Sequence, residues 1–156
     1  MKYTLFLLLF LISSCTGSLT ENQRKKIKED MAMNEIKKVT EAEVTEAAIR
    51  YGQQIAAVVG KVDKTLSNQP FLDSLSEVYQ VEIVALQESN LKLRAIEKQI
   101  LEAYTSGQGS DNIQKMGPDS LLYTKPITRE HPDGSTEFIK ALGIRMTRKQ
   151  IVLTIK

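Results

Sequence analysis

The chain has 156 residues, room for one ordinary domain beyond any export segment. Hydrophobic residues make up 42% and charged residues 26%, a globular rather than a disordered composition, and 21 basic against 19 acidic side chains leave a formal charge of +2. That balance excludes the strong positive field of a nucleic-acid binder, and a single cysteine excludes an internal disulfide.

Met1 to Thr4 supplies a short positive start, and Leu5 to Ile12 an apolar run too short to span a bilayer, which takes about 20 residues. The run closes on Ile12-Ser13-Ser14-Cys15, a branched aliphatic, two small residues and the only cysteine, the pattern of a lipobox. Small residues let the backbone enter the signal peptidase, and the thiol carries the diacylglycerol thioether. Residues 1–14 are therefore expected to be a lipoprotein signal peptide. Cys15 is the expected lipidation site and membrane anchor, since two or three acyl chains on one residue anchor stably where one does not.

Residues 15–39 read as a lipid-anchored linker with a solvated helix over Glu21 to Lys38. Its basic run Arg24-Lys25-Lys26-Ile27-Lys28 either solvates the linker or touches anionic headgroups. Residues 40–156 read as the folded domain. Thr40-Glu41-Ala42-Glu43 matches a capping box, and Val44, Ala48, Tyr51, Ile55 and Val58 or Val59 then recur every three or four residues, predicting an amphipathic helix. Ser67-Asn68-Gln69-Pro70 opens a second helix carrying Phe71, Leu72, Leu75 and Val78 and ending near Tyr79. Val81 to Leu86 reads as a strand, with a continued helix as the competitor. Leu93 to Tyr104 returns to helical spacing and stops at Gly107.

Beyond the loop Gly107 to Asp111 the period becomes extended. Ile113 to Met116, the turn Gly117-Pro118-Asp119 and Leu121 to Thr128 predict a hairpin; Pro132-Asp133-Gly134 predicts a second turn, with Glu137 to Met146 returning as a longer strand. Thr147 to Gln150 offers another capping box before a short last helix, with a last strand as the alternative. Helices first and then an antiparallel sheet argue for an α+β domain with one sheet face covered by the helices.

Four stretches carry a resemblance. Leu72 to Tyr79 with the Val81-Glu82-Ile83 strand, Leu93-Arg94 with Glu97 to Tyr104, Leu122-Tyr123-Thr124-Lys125-Pro126-Ile127, and Gly143 to Thr147 follow the order of segments in a family of exported PAS-like domains, catalogued mainly as a domain of unknown function, many with c-type haem. The resemblance implies a PAS-like antiparallel sheet covered by N-terminal helices. In haem-bearing relatives a Cys-x-x-Cys-His motif follows the Pro-Ile strand, whereas here Thr128 to Gly134 contains no cysteine, so this chain is expected to hold no c-type haem and no other cofactor.

Chemistry-bearing patterns are sparse. There is no phosphate loop, serine elbow or zinc-helix motif, and acidic pairs such as Glu41 with Glu43 sit at cap positions, so no catalytic residue and no enzyme are expected. His131 stands alone beside a turn, without partners for a metal site. Arg94, Tyr104, Tyr123 and Arg145 are the candidate ligand-binding residues, because in a PAS-like cup a few polar groups among aliphatics orient a ligand. The reading is a non-enzymatic envelope lipoprotein with a haem-free sensory or ligand- or protein-binding domain; the alternative is a structural or assembly lipoprotein pairing through its amphipathic helices. Expected partners are the membrane through Cys15 and a small molecule or envelope protein, not nucleic acid. Thr16-Gly17-Ser18 lacks both an aspartate after the cysteine and an acidic cluster, which leaves the periplasmic face of the outer membrane as the expected location.

Overall fold

A computed structural model describes residues 19–33, 38–107 and 109–155, so the expected signal peptide over residues 1–14 and the expected lipidation site Cys15 lie outside the described residues. The chain divides into one unit ending at Lys38 and a second spanning Val39–Lys156. In the first, α1 (Glu21–Met33) leaves every side chain from Glu21 to Asp30 exposed, in keeping with its polar sequence.

The second unit begins with α2 (Glu41–Val62). The Thr40 hydroxyl accepts from the Glu43 N–H at 3.2 Å while the Glu43 carboxylate accepts from the Thr40 N–H at 2.8 Å, which satisfies two donors that a helix start leaves orphaned. Val44, Ala48, Ile55 and Val59 are buried along one stripe, together with Ala47, Gly52 and Ala56. After α2 the Asp63 carboxylate accepts from the N–H of Asn68 at 2.7 Å and from both the N–H and the hydroxyl of Thr65, folding the chain back. Asn68 then caps α3 (Gln69–Tyr79), with Pro70 in the first turn where its missing N–H costs nothing. Val78 was expected on the apolar face but is 76% exposed, because that face turns through Leu72 and Leu75 and the helix ends one residue later.

β1 (Glu82–Leu86) is a strand, not a continued helix; Gln80 adopts a left-handed conformation with φ 52° that ends α3. α4 (Ala95–Thr105) starts two residues later than Leu93, since Arg94 is its cap and Leu93 is buried ahead of it. β2 (Asn112–Lys115), β3 (Ser120–Glu130) and β4 (Thr136–Thr147) complete one antiparallel sheet in the order β1-β4-β3-β2. β3 runs past Thr128 to Glu130 because a bulge at Ile127/Thr128 leaves Ile139 as the extra residue on β4 and lets pairing resume. α5 (Arg148–Thr154) is opened by the Thr147 hydroxyl accepting from the Gln150 N–H at 3.3 Å. The Gln150 side chain does not close the expected capping box; it donates to the Tyr79 carbonyl, which also accepts from the Tyr51 hydroxyl at 2.9 Å.

The domain is α+β as read, but the expectation that helices cover one sheet face is corrected. Strand alternation puts Ile83, Leu121, Tyr123, Leu142, Ile144 and Met146 on one face, against α2, α3 and α5. Leu86, Leu122 and Ala141 point the other way, where α4 covers them with Ile100, Leu101 and Tyr104. The sheet is thus sandwiched, and the second, smaller core is the one that holds most of the candidate polar residues.

Candidate functional site

Arg145 lies on β4 with its guanidinium under α4. Its Nε donates to Glu97 Oε1 at 2.7 Å and its Nη2 to Glu97 Oε2 at 2.8 Å, a bidentate pair, while Nη1 donates to Glu82 on β1. Glu97, in the first turn of α4, is wholly buried, and its Oε2 also accepts from the Arg94 N–H at 2.8 Å. Burial alone would raise the Glu97 carboxyl, but the Arg145 hydrogen bonds, the Arg94 N–H and the charges of both arginines together hold it below its ordinary value. The Arg94 guanidinium is exposed and stands 4.0 Å from Glu82. Arg94 and Arg145 therefore meet around two carboxylates.

Tyr104 closes the other end of α4. Its buried hydroxyl shares a 2.8 Å hydrogen bond with Thr124 of β3 and donates to the Ser110 carbonyl at 3.2 Å. Its ring lies against Gly109, where a Cβ would come within 2.4 Å of the ring, and the backbone there has φ 144°. Tyr123 sits on the opposite sheet face, fully buried under α2, and its hydroxyl donates to Asp111. Burial first, then the Asp111 carboxylate, push the Tyr123 phenol far above its ordinary value, so it stays a neutral donor. The two tyrosines converge from opposite faces on the loop at 110–111.

The four candidates thus form two clusters at the two ends of α4 rather than one cup. An open groove of about 570 Å³ runs beside α4, between Ile96, Gln99, Ile100, Ala103 and Tyr104 on one wall and Gly109, Ser110, Asp111, Asn112 and Gln114 on the other. Of the four candidates only Tyr104 lines it. Sequence reasoning missed Asp111, Thr124 and the role of Glu97, because their partners lie 12 to 48 residues away and leave no local spacing to read. The buried acid within Arg94-Ala95-Ile96-Glu97 had one readable trace, a glutamate three residues after a cap.

Among the described residues every buried side-chain nitrogen and oxygen has a hydrogen-bond partner, and no group of three His, Cys, Asp or Glu side chains is placed to hold a metal ion. His131 is partly exposed, with Nε2 3.4 Å from Glu137. Among the described residues no helix is long and apolar enough to cross a membrane. Comparison of the chain with protein-family models, with curated proteins and with solved structures gave no match.

Proposed function

We propose that the protein is a non-enzymatic envelope lipoprotein, anchored through Cys15 and facing the periplasm from the outer membrane, whose PAS-like, haem-free domain binds a small molecule or an envelope protein in the groove beside α4. The observation that carries the binding role is that groove. One wall is largely aliphatic and aromatic, the other offers the hydroxyl, carboxylate and amides of Ser110, Asp111, Asn112 and Gln114, the mixture of apolar surface and few polar groups that orients a ligand. Arg145 spends its donors on Glu97 and Glu82 and the Arg94 N–H donates to Glu97, so Arg145 and the Arg94 backbone position α4, and Tyr104 is the candidate that meets the ligand. Support for the haem-free reading is that Thr128 to Gly134, where the attachment motif would stand, contains no cysteine.

The rival reading, an assembly lipoprotein pairing through its amphipathic helices, places the contact elsewhere. A photo-crosslinking amino acid at Gln99, on the groove wall, is expected to give a discrete adduct in living cells, and the same probe at the exposed Glu77 of α3 to give none. Adducts confined to a probe at Lys26 on α1 would favour the rival and sink the groove.

A further inference from the structure

The helix α1 carries its charges unevenly. Arg24, Lys25, Lys26 and Lys28 crowd the first eight residues, against the single carboxylate Glu21, whereas Glu29 and Asp30 follow beyond them. All four cations are exposed, and among the described residues none takes part in an ion pair. Ile27 is 43% exposed beside them, and Arg24, Ile27 and Lys28 stand at helical positions i, i+3 and i+4, which share one side of the helix. Long cationic side chains on one side of a helix reach lipid phosphates with their charged heads while their stems lie along the apolar residue between them, a contact that is chiefly electrostatic.

Covalent reach supplies the partner. Glu21 follows Cys15 by six residues, and a fully extended chain spans at most about 3.6 Å per residue, so the start of α1 is held within about 20 Å of a lipidated cysteine. Free charges at that distance from a bilayer need only a modest approach to enter the region, roughly 8 Å deep at physiological salt, where an anionic surface attracts them.

We propose that α1 is a membrane-docking helix, which lays Arg24, Ile27 and Lys28 onto the anionic phospholipids surrounding the anchor and so fixes where the tether leaves the membrane. This rests on the lipidation of Cys15. Attraction of about five-fold per basic residue near such a surface gives roughly 25-fold from Arg24 and Lys28 together, enough to dock a helix that is already tethered.

The test uses the full lipidated protein carrying Ile27→Cys. The Cys15 thiol is consumed by its thioether, so the new thiol is the one site for an environment-sensitive fluorophore. The protein is reconstituted with vesicles of phosphatidylcholine alone or with about a third phosphatidylglycerol, a strongly anionic surface. Flotation with both vesicle types is expected from the anchor, and a blue-shifted emission with the anionic vesicles only. The shift should vanish in about 1 M salt, where screening shortens to about 3 Å, and in the variant R24Q/K25Q/K26Q/K28Q. Flotation with an emission that is the same in both vesicle types, or a shift that survives the four substitutions, overturns the docking helix and leaves the anchor standing. Failure to float with either vesicle removes the anchor and the docking helix with it.

Discussion

Glu97 is a carboxylate with no exposed surface, lodged between a helix and a sheet, and the counter-charge that contacts it is Arg145. Removing two ions from water costs several kcal/mol each, so the pair persists because its geometry is bidentate and the remaining lone pair of Glu97 takes the Arg94 N–H. Removing one partner leaves the other uncompensated. Arg145→Met is therefore expected to cost about 3 kcal/mol in urea denaturation, and the double variant Glu97→Leu with Arg145→Met to recover much of it, since two apolar groups owe no desolvation. A single variant within 0.5 kcal/mol of the parent, the ordinary range for a surface change, would contradict this account of the pair. The pH dependence follows from the same contacts. Glu97 titrates lower folded than unfolded, so its contribution is fully present above the unfolded value of about 4.3 and is lost as pH falls through the folded one. Acid unfolding of Glu97→Gln should be correspondingly less steep below about pH 4.

At the scale of elements, α2 and β3 meet through Gly52, whose missing side chain makes room for the ring of Tyr123. A Cβ at Gly52 would stand 2.4 Å from the ring, and that ring is fully buried. Helix propensity alone favours alanine by about 1 kcal/mol, but overpacking a closed core costs more, so Gly52→Ala is expected to destabilise by about 2 kcal/mol. Gly60, in the same helix, has nothing within 4 Å of a built Cβ, and Gly60→Ala should stabilise by about 0.5 kcal/mol. Opposite signs in thermal melts of the two variants check the packing, and the same sign would contradict it. These two glycines also mark what the sequence could and could not show. Caps at Thr40 and Asn68, the Pro118 and Gly134 turns and the period of α2 are local signals, and the elements stand close to where they were read. The side of the sheet that α4 covers is not local: the apolar stripe of Ile96, Ile100 and Tyr104 announces a buried face but not which sheet face it meets. For the same reason Tyr104 and Tyr123, read as one site, lie on opposite faces, and Glu97 was visible as a cap residue but not as the partner of an arginine 48 residues on.

Across the whole Val39–Lys156 unit the two helical layers close both sheet faces, and the sheet edges are guarded as well. The Ile83 N–H donates to the Ser76 hydroxyl and the Asn90 amide reaches the Ala85 carbonyl, which occupies the outer edge of β1, while β2 is only four residues long. A domain without an internal disulfide thus reaches stability by burial and leaves the groove beside α4 as open surface. Its location depends on residues outside the described ones. Everything proposed about the membrane, the periplasmic face and the docking of α1 descends from the Ile12-Ser13-Ser14-Cys15 motif. Metabolic labelling with an alkyne fatty acid tests it directly. The parent protein should incorporate the label into a processed form shortened by the signal peptide, and Cys15→Ser should remain an unlabelled, unprocessed precursor; equal labelling of the two, or an unlabelled parent, would contradict the account.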